Sequence, residues 1–230
     1  MSLEPDRNQL EIFVEALFRH CSGDGIVSLR TFFEDGDEND PPYRITAIPL
    51  KGGLNFLIDA ALDDARRAAQ HPRPAVFCPP ICAFSSTTHA HEEDLLEGPV
   101  ISVELDENPR AALATLEHLL GFATLVVRSG GTWTNPTTGA VEDKLHAYWR
   151  LKEPAQGKAA LAKLKRLRRL ATDLVRATRA TSRSITHSGG PVPGIARPYR
   201  GCARSCRRPI ISTTSSTSTL RSRRLKPSHR

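Results

Sequence analysis

Apolar residues recur along this chain with two different periods, and the switches between them outline its elements. Leu10, Ile12, Phe13, Leu17 and Phe18 have helical spacing, which predicts an opening amphipathic helix ending near Ser22-Gly23. From Ile26 to Phe33 the period falls to two, with Val27, Leu29, Thr31 and Phe33 in phase, so a strand is expected. Tyr43 to Leu50 reads as a second strand across the acidic loop EDGDENDPP. Leu54, Leu57, Ile58, Ala61, Leu62 and Ala65 mark a helix from Leu54 to Ala69 that His71-Pro72 stops. Ala75 to Phe77 is a short apolar run entering CPPIC, and SSTTHAHEED follows as a loop. The fragment VISVELDENP, residues 100–109, then reads as a strand. Its period places Val100, Ser102, Glu104 and Asp106 on one face and the apolar Ile101, Val103 and Leu105 on the core-facing side.

Pro109 suits the first turn of a helix over 110–120, striped by Leu113, Leu116, Leu119 and Leu120. Thr124 to Arg128 is a β-branched strand running into Ser129-Gly130-Gly131, which reads as a turn, followed by the loop TWTNPTTGAVED. In the next strand, LHAYWRL, His146, Tyr148 and Arg150 share one face, while Leu145, Ala147, Trp149 and Leu151 share the other. A long helix from Gly157 to about Val175 closes the ordered part. The fold class expected is α+β, a mixed sheet of at least five strands flanked by helices, as one domain over residues 1–175.

Charge divides the chain at the same place. Residues 176–230 hold 13 Lys and Arg and no Asp or Glu, so residues 1–175 carry 32 − 13 = 19 basic against all 25 acidic residues, a net of −6. The overall +7 therefore belongs to the tail, whose scattered apolar residues and Ser/Thr run predict disorder in isolation. No stretch is apolar enough to span a bilayer and the N-terminus lacks a signal-peptide layout, so a cytoplasmic protein with no membrane partner is expected. Five cysteines in a chain of this length do not suggest a disulfide framework. Cys78, Cys82, His89 and His91 could be drawn together as a zinc site, although their spacing is looser than usual zinc pairs.

The candidate chemistry centres on Glu104 and Asp106. Two like charges on one strand face repel unless a cation lies between them, and a hard divalent ion such as magnesium or manganese suits that position. The alternative is a solvated acidic strand end. A Gly-rich Ser129-Gly130-Gly131 segment would let backbone N–H groups approach a phosphate, and His146 with Lys144 could contact a triphosphate.

The ELDENP strand end, a helix, a strand ending RSGG, and HAYWRLKEPA followed by a Lys/Arg-rich helix resemble the RepB-like primase domain of plasmid and phage replication proteins. That family belongs to the archaeo-eukaryotic primase-polymerase type, and the likeness covers roughly residues 75–175. It implies DNA priming by nucleotidyl transfer to a primer 3′-hydroxyl, with Glu104 and Asp106 as ligands of Mg or Mn. It also implies a catalytic role for His146 and nucleotide contacts from Ser129, Gly130, Gly131, Lys144 and Arg150. The partners it implies are a DNA template, nucleoside triphosphates and a replicative helicase. Two departures stand out: the first acid is Glu rather than Asp, and TWTNPTTGAVEDK separates the Ser-Gly-Gly segment from the histidine.

The family's third acid, in a turn after the closing helix, and a later Arg-Trp-Pro-Gly-Ser-Trp-His-Arg-Lys-like segment are both missing. With synonymous codons chosen freely, Val175–Thr178 read one frame over can spell Pro-Gly-Asp, and Ser188–Ala196 can spell Arg-Trp-Pro-Gly-Ser-Trp-His-Arg. A frame change near Val175 is therefore expected to have replaced the domain's own C-terminal part, leaving transfer impaired. Asp173, one turn earlier in the helix, is the only acid nearby that could substitute, and Glu142 and Asp143 lie in the insertion loop. Rival expectations are a non-catalytic DNA-binding replication-accessory module, with the basic tail on phosphates, and a metal-dependent phosphoesterase.

Overall fold

The computed structural model describes residues 4–37 and 40–183. Among them the chain forms four helices and a seven-stranded antiparallel sheet, an α+β fold. The elements are α1 (Arg7–Phe18), β1 (Ile26–Phe33), β2 (Arg44–Pro49), α2 (Leu54–Gln70), β3 (Ala75–Cys78), β4 (Ala83–Phe84), β5 (Leu95–Leu105), α3 (Pro109–Leu120), β6 (Leu125–Thr134), β7 (Val141–Gln156) and α4 (Gly157–Arg183). The strand order is β2-β1-β4-β5-β7-β6, with β3 also paired to β1.

Two apolar layers lie on opposite faces of this sheet. On one, Phe13, Val14 and Leu17 of α1 and Leu57, Ile58 and Ala61 of α2 pack with Val27, Leu29, Val100 and Tyr148. On the other, Leu116 of α3 and Leu164 and Ala171 of α4 pack with Ile101, Val103, Leu105 and Trp149. The Ile101/Val103/Leu105 face is therefore core, as its period predicts. Asp6 caps α1, its Oδ1 accepting from the N–H groups of Asn8 at 2.8 Å and Gln9 at 3.4 Å. Gly121, at φ +80, ends α3 with its N–H donating to the Glu117 carbonyl.

Several boundaries depart from expectation: α1 ends at Phe18 rather than near Ser22-Gly23, and β7 runs over Val141–Gln156 rather than Leu145–Leu151, so much of TWTNPTTGAVED is strand. β5 starts at Leu95 rather than near Val100, because Gly98-Pro99 reads as a break yet is absorbed by a register shift between Gly98 and Val100. A Cβ at position 98 would collide with the Cδ2 end of the Leu164 side chain on α4, which would have to shift to admit it. The turn expected at Ser129-Gly130-Gly131 is instead a bulge inside β6, where register shifts between Arg128 and Thr132. The chain reverses later, at Asn135–Ala140, where Asn135 Oδ1 accepts from the N–H groups of Thr137 and Thr138. Finally, α4 continues past Val175 to Arg183, since RATRATSR carries neither Gly nor Pro and is rich in Ala and Arg. The remainder of the expected disordered tail lies outside the described residues. Among the described residues no helix is long and apolar enough to cross a membrane.

Candidate functional site

The pleat and register of three strands assemble the site. Glu104 stands directly opposite His146, Ser102 opposite Tyr148 and Val100 opposite Arg150, while Val127 of β6 faces His146 from the other side. Val100, Ser102, Glu104, Val127, Lys144, His146 and Tyr148 thus share one face. Its inner end is sealed by α1, whose Phe13 ring meets Tyr148 edge-on at 5.4 Å. Toward the outer end the face opens: Ser102, Asp106 and His146 are half-buried and Glu104 is exposed.

Lys144 Nζ lies 3.2 Å from Asp106 Oδ1, so a cation is placed between the strands beside the acidic pair. Burial pushes the His146 pKa below its ordinary 6.5, and the negative Glu104 and then Asp106 oppose that shift. A neutral imidazole follows at pH 7. His146 Nε2, Ser129 Oγ and Ser102 Oγ are buried and have no hydrogen-bond partner among the described residues. A buried polar atom without a partner costs about 1–3 kcal/mol, and an ordered water, an ion or a ligand group can satisfy it.

The Ser129-Gly130-Gly131 bulge lies alongside. Gly130 has φ +86, a region that favours glycine, and a Cβ at Gly131 would sit 3.0 Å from Lys144 Cδ. The absence of a Cβ at Gly131 leaves room on β6 for the neighbouring Lys144 stem, whose Nζ reaches Asp106 on the β5 side. The Ser-Gly-Gly segment is therefore close to the acidic pair by strand pairing, with Lys144 between them.

Not every residue expected at the site is there. Arg150 shares the face but lies under α1, with Nη1 donating to the Ala16 carbonyl at 3.4 Å, four residues along β7 from His146. Asp143 points to the opposite face, 3.2 Å from Arg128 Nε. The Glu142 carboxylate accepts from the Arg110 N–H at 3.2 Å and closes the first turn of α3. Asp173 lies on α4, across the sheet from the acidic pair, 3.7 Å from Arg169. None of the three supplies a third carboxylate.

Among the described residues, no three His, Cys, Asp or Glu side chains are placed to share a metal ion. Glu104 and Asp106 supply two of the donors that a magnesium or manganese centre would use, and that set alone does not fit a two-metal centre. Nor do the residues drawn together as a zinc site converge: Cys78 is buried at the end of β3, while the His89 and His91 rings stack on each other at 5.5 Å in the loop. Sequence reasoning missed the ion pair of Lys144 with Asp106, whose signal was only the shared parity of Lys144 and His146. Comparison with protein-family models, curated proteins and solved structures finds no match for the chain.

Proposed function

We propose that the outer end of the β5–β7–β6 face is a nucleoside-triphosphate site of RepB-like primase-polymerase type, and that nucleotidyl transfer by this chain is impaired. The observation carrying this proposal is the Glu104–His146 cross-strand pair with the Lys144–Asp106 ion pair beside it. Lys144 offers a positive charge to a phosphate, and the Ser129 hydroxyl and neutral His146 each offer a hydrogen bond without one. Glu104 and Asp106 would be the protein's donors to a magnesium or manganese ion accompanying the nucleotide. A third carboxylate is what full transfer chemistry would lack, and a frame change near Val175 accounts for its loss. A DNA template, and a replicative helicase beside it, are the partners such a domain would serve.

The test is calorimetric binding of magnesium nucleoside triphosphate together with a dinucleotide-synthesis assay. Binding should fall at least about tenfold in the double variant Glu104→Gln/Asp106→Asn. Synthesis should be near background in this chain and rise when the alternative frame is restored. Binding unchanged by the double substitution overturns the nucleotide site, and robust synthesis by the present chain overturns the impairment. The gene's own codons decide the frame change: positions 188–196 must be able to spell the expected segment.

A second reading, a non-catalytic DNA-binding accessory module, draws on α4. Its residues 157–176 hold seven Lys and Arg against the single acid Asp173, and most of those cations are exposed. DNA binding that survives the double substitution, with no nucleotide binding in the unsubstituted chain, would favour it.

A further inference from the structure

We propose that Trp133 is the stacking wall for the nucleobase at this site, an assignment that rests on the nucleotide reading above. Trp133 stands opposite Glu142 on β6, on the same sheet face as Lys144 and His146. Continuing the inner register of β6 and β7 (Arg128 opposite Leu145) would place Gly131 opposite Glu142. The two-residue slip at the glycine bulge places Trp133 there instead. Along β7 the indole's level is two residues from Lys144 and four from His146, about 7 Å and about 13 Å at strand rise. A nucleotide whose phosphates lie against Lys144 and His146 would extend its base toward that ring.

The two tryptophans of the chain are used differently. Trp149 is buried in the α3/α4 layer, and its Nε1 donates to the Gly121 carbonyl at 2.8 Å. Trp133 is half-exposed, with no ring partner and no hydrogen bond from its indole N–H among the described residues. A large amphipathic ring left in that condition two residues along the face from the Lys144 level is suited to a flat ligand.

The hairpin carrying it is also pinned. Arg128 holds Asp143 at 3.2 Å behind the sheet, Lys144 holds Asp106 at 3.2 Å in front, and Glu142 accepts from the Arg110 N–H at 3.2 Å. A ring on a hairpin tied at three points is presented with little ordering cost. Stacking reads the π-face and not the base edge, so adenine and guanine nucleotides should bind alike.

Intrinsic fluorescence and calorimetry on the full chain test this. Titration with magnesium ATP should quench the protein and Trp149→Phe, and should leave Trp133→Phe unquenched. Trp133→Leu should weaken magnesium ATP binding by about tenfold or more, whereas Trp133→Phe keeps it within about threefold. Inorganic triphosphate, which has no base, should bind Trp133→Leu as it binds the unsubstituted chain; this also shows that the variant is folded. Equal affinity of Trp133→Leu and the parent for magnesium ATP overturns the stacking role while leaving the phosphate site intact. Quenching by a single-stranded oligothymidylate but not by magnesium ATP overturns it too, by assigning Trp133 to a strand. If the unsubstituted chain binds neither magnesium ATP nor triphosphate, the nucleotide reading itself fails.

Discussion

Strand β5 carries Glu97 and Glu104 on the same face of the sheet, seven residues apart, and treats them in opposite ways. Seven is an odd separation, which on a regular strand would send the two side chains to opposite faces. The bulge at Gly98–Val100 shifts the phase, so both point to the α1 side. Glu97 is 0% exposed, and both its oxygens accept from the Ser22 N–H, at 3.1 and 3.0 Å, while Gln156 Nε2 donates to one of them. Glu104 is exposed at the open end, opposite a histidine whose Nε2 has no hydrogen-bond partner among the described residues. One carboxyl group closes a structural joint between α1, β5 and β7. The other stands exposed at the outer end of the same face, opposite His146 and beside the Lys144–Asp106 ion pair.

Removing Glu97 gives the largest expected effect. Glu97→Ala takes the acceptor from the half-buried Ser22 N–H, removes the partner of the Gln156 amide and leaves a cavity where a fully buried side chain stood, so the unfolding free energy should drop by about 3 kcal/mol. Glu104→Ala should change it by less than about 0.5 kcal/mol. Urea unfolding of the two variants makes the comparison. Equal losses would break it by showing that the open end is also structural.

How much of this was legible follows the range of the interactions. The helical period of α2 and the two-residue alternation of β1 are local, and both elements lie where the spacing places them. The division of residues 100–106 into a core face and an acidic face was likewise legible, because parity needs only neighbours. The joint at Glu97 was not: Gly98-Pro99 looks like a terminator until Leu164, far along the chain, is packed over it. The Ser129–Gly131 bulge was equally hidden, since glycines before a loop look like a turn and only the pairing of Thr132 with Asp143 shows the strand continuing. Lys144 shares the parity of His146, yet its partner Asp106 is 38 positions away, and only strand register brings the two together. Arg150 shows the converse: correct parity placed it on the right face and could not reveal that α1 lies over it.

Cys21 sharpens the closed side of the comparison. Burial first, and the negative Glu97 next to it second, push this thiol from its ordinary 9.0 up to about 12. Between those values the unfolded chain has released the proton that the folded chain keeps. The unfolded state then binds fewer protons, and stability falls as pH rises through that window. Below pH 9 the contribution of Cys21 is fully present. Cys21→Ala should remove that part of the alkaline loss, and Glu97→Gln should reduce it by removing the second cause while burial remains. Unfolding midpoints across alkaline pH, with alkylation at Cys21 mapped by mass spectrometry, check both. Rapid alkylation of Cys21 near pH 8 in the folded chain would contradict a closed joint.

The smallest effect tests how firmly the open end is held. Asn108 links the acidic strand end to α3 and has φ 45 and ψ 49, the sole positive φ outside glycine among the described residues. Left-handed backbone is tolerated by Asn and Gly and opposed by the Cβ of β-branched residues, at a cost of about 1–2 kcal/mol. Asn108→Gly should therefore alter stability by less than about 0.5 kcal/mol, and Asn108→Val should lower it by about 1–2 kcal/mol. Both leave Glu104 and Asp106 chemically intact, so magnesium ATP affinity separates position from presence. If Asn108→Val weakens binding while Asn108→Gly preserves it, the turn is what aims the acidic pair. If Asn108→Val costs stability and leaves binding unchanged, register with β7 and the Lys144 ion pair suffice to hold Asp106. Such a result would mean that the open end, although it lacks a buried joint like Glu97, is still fixed by strand pairing.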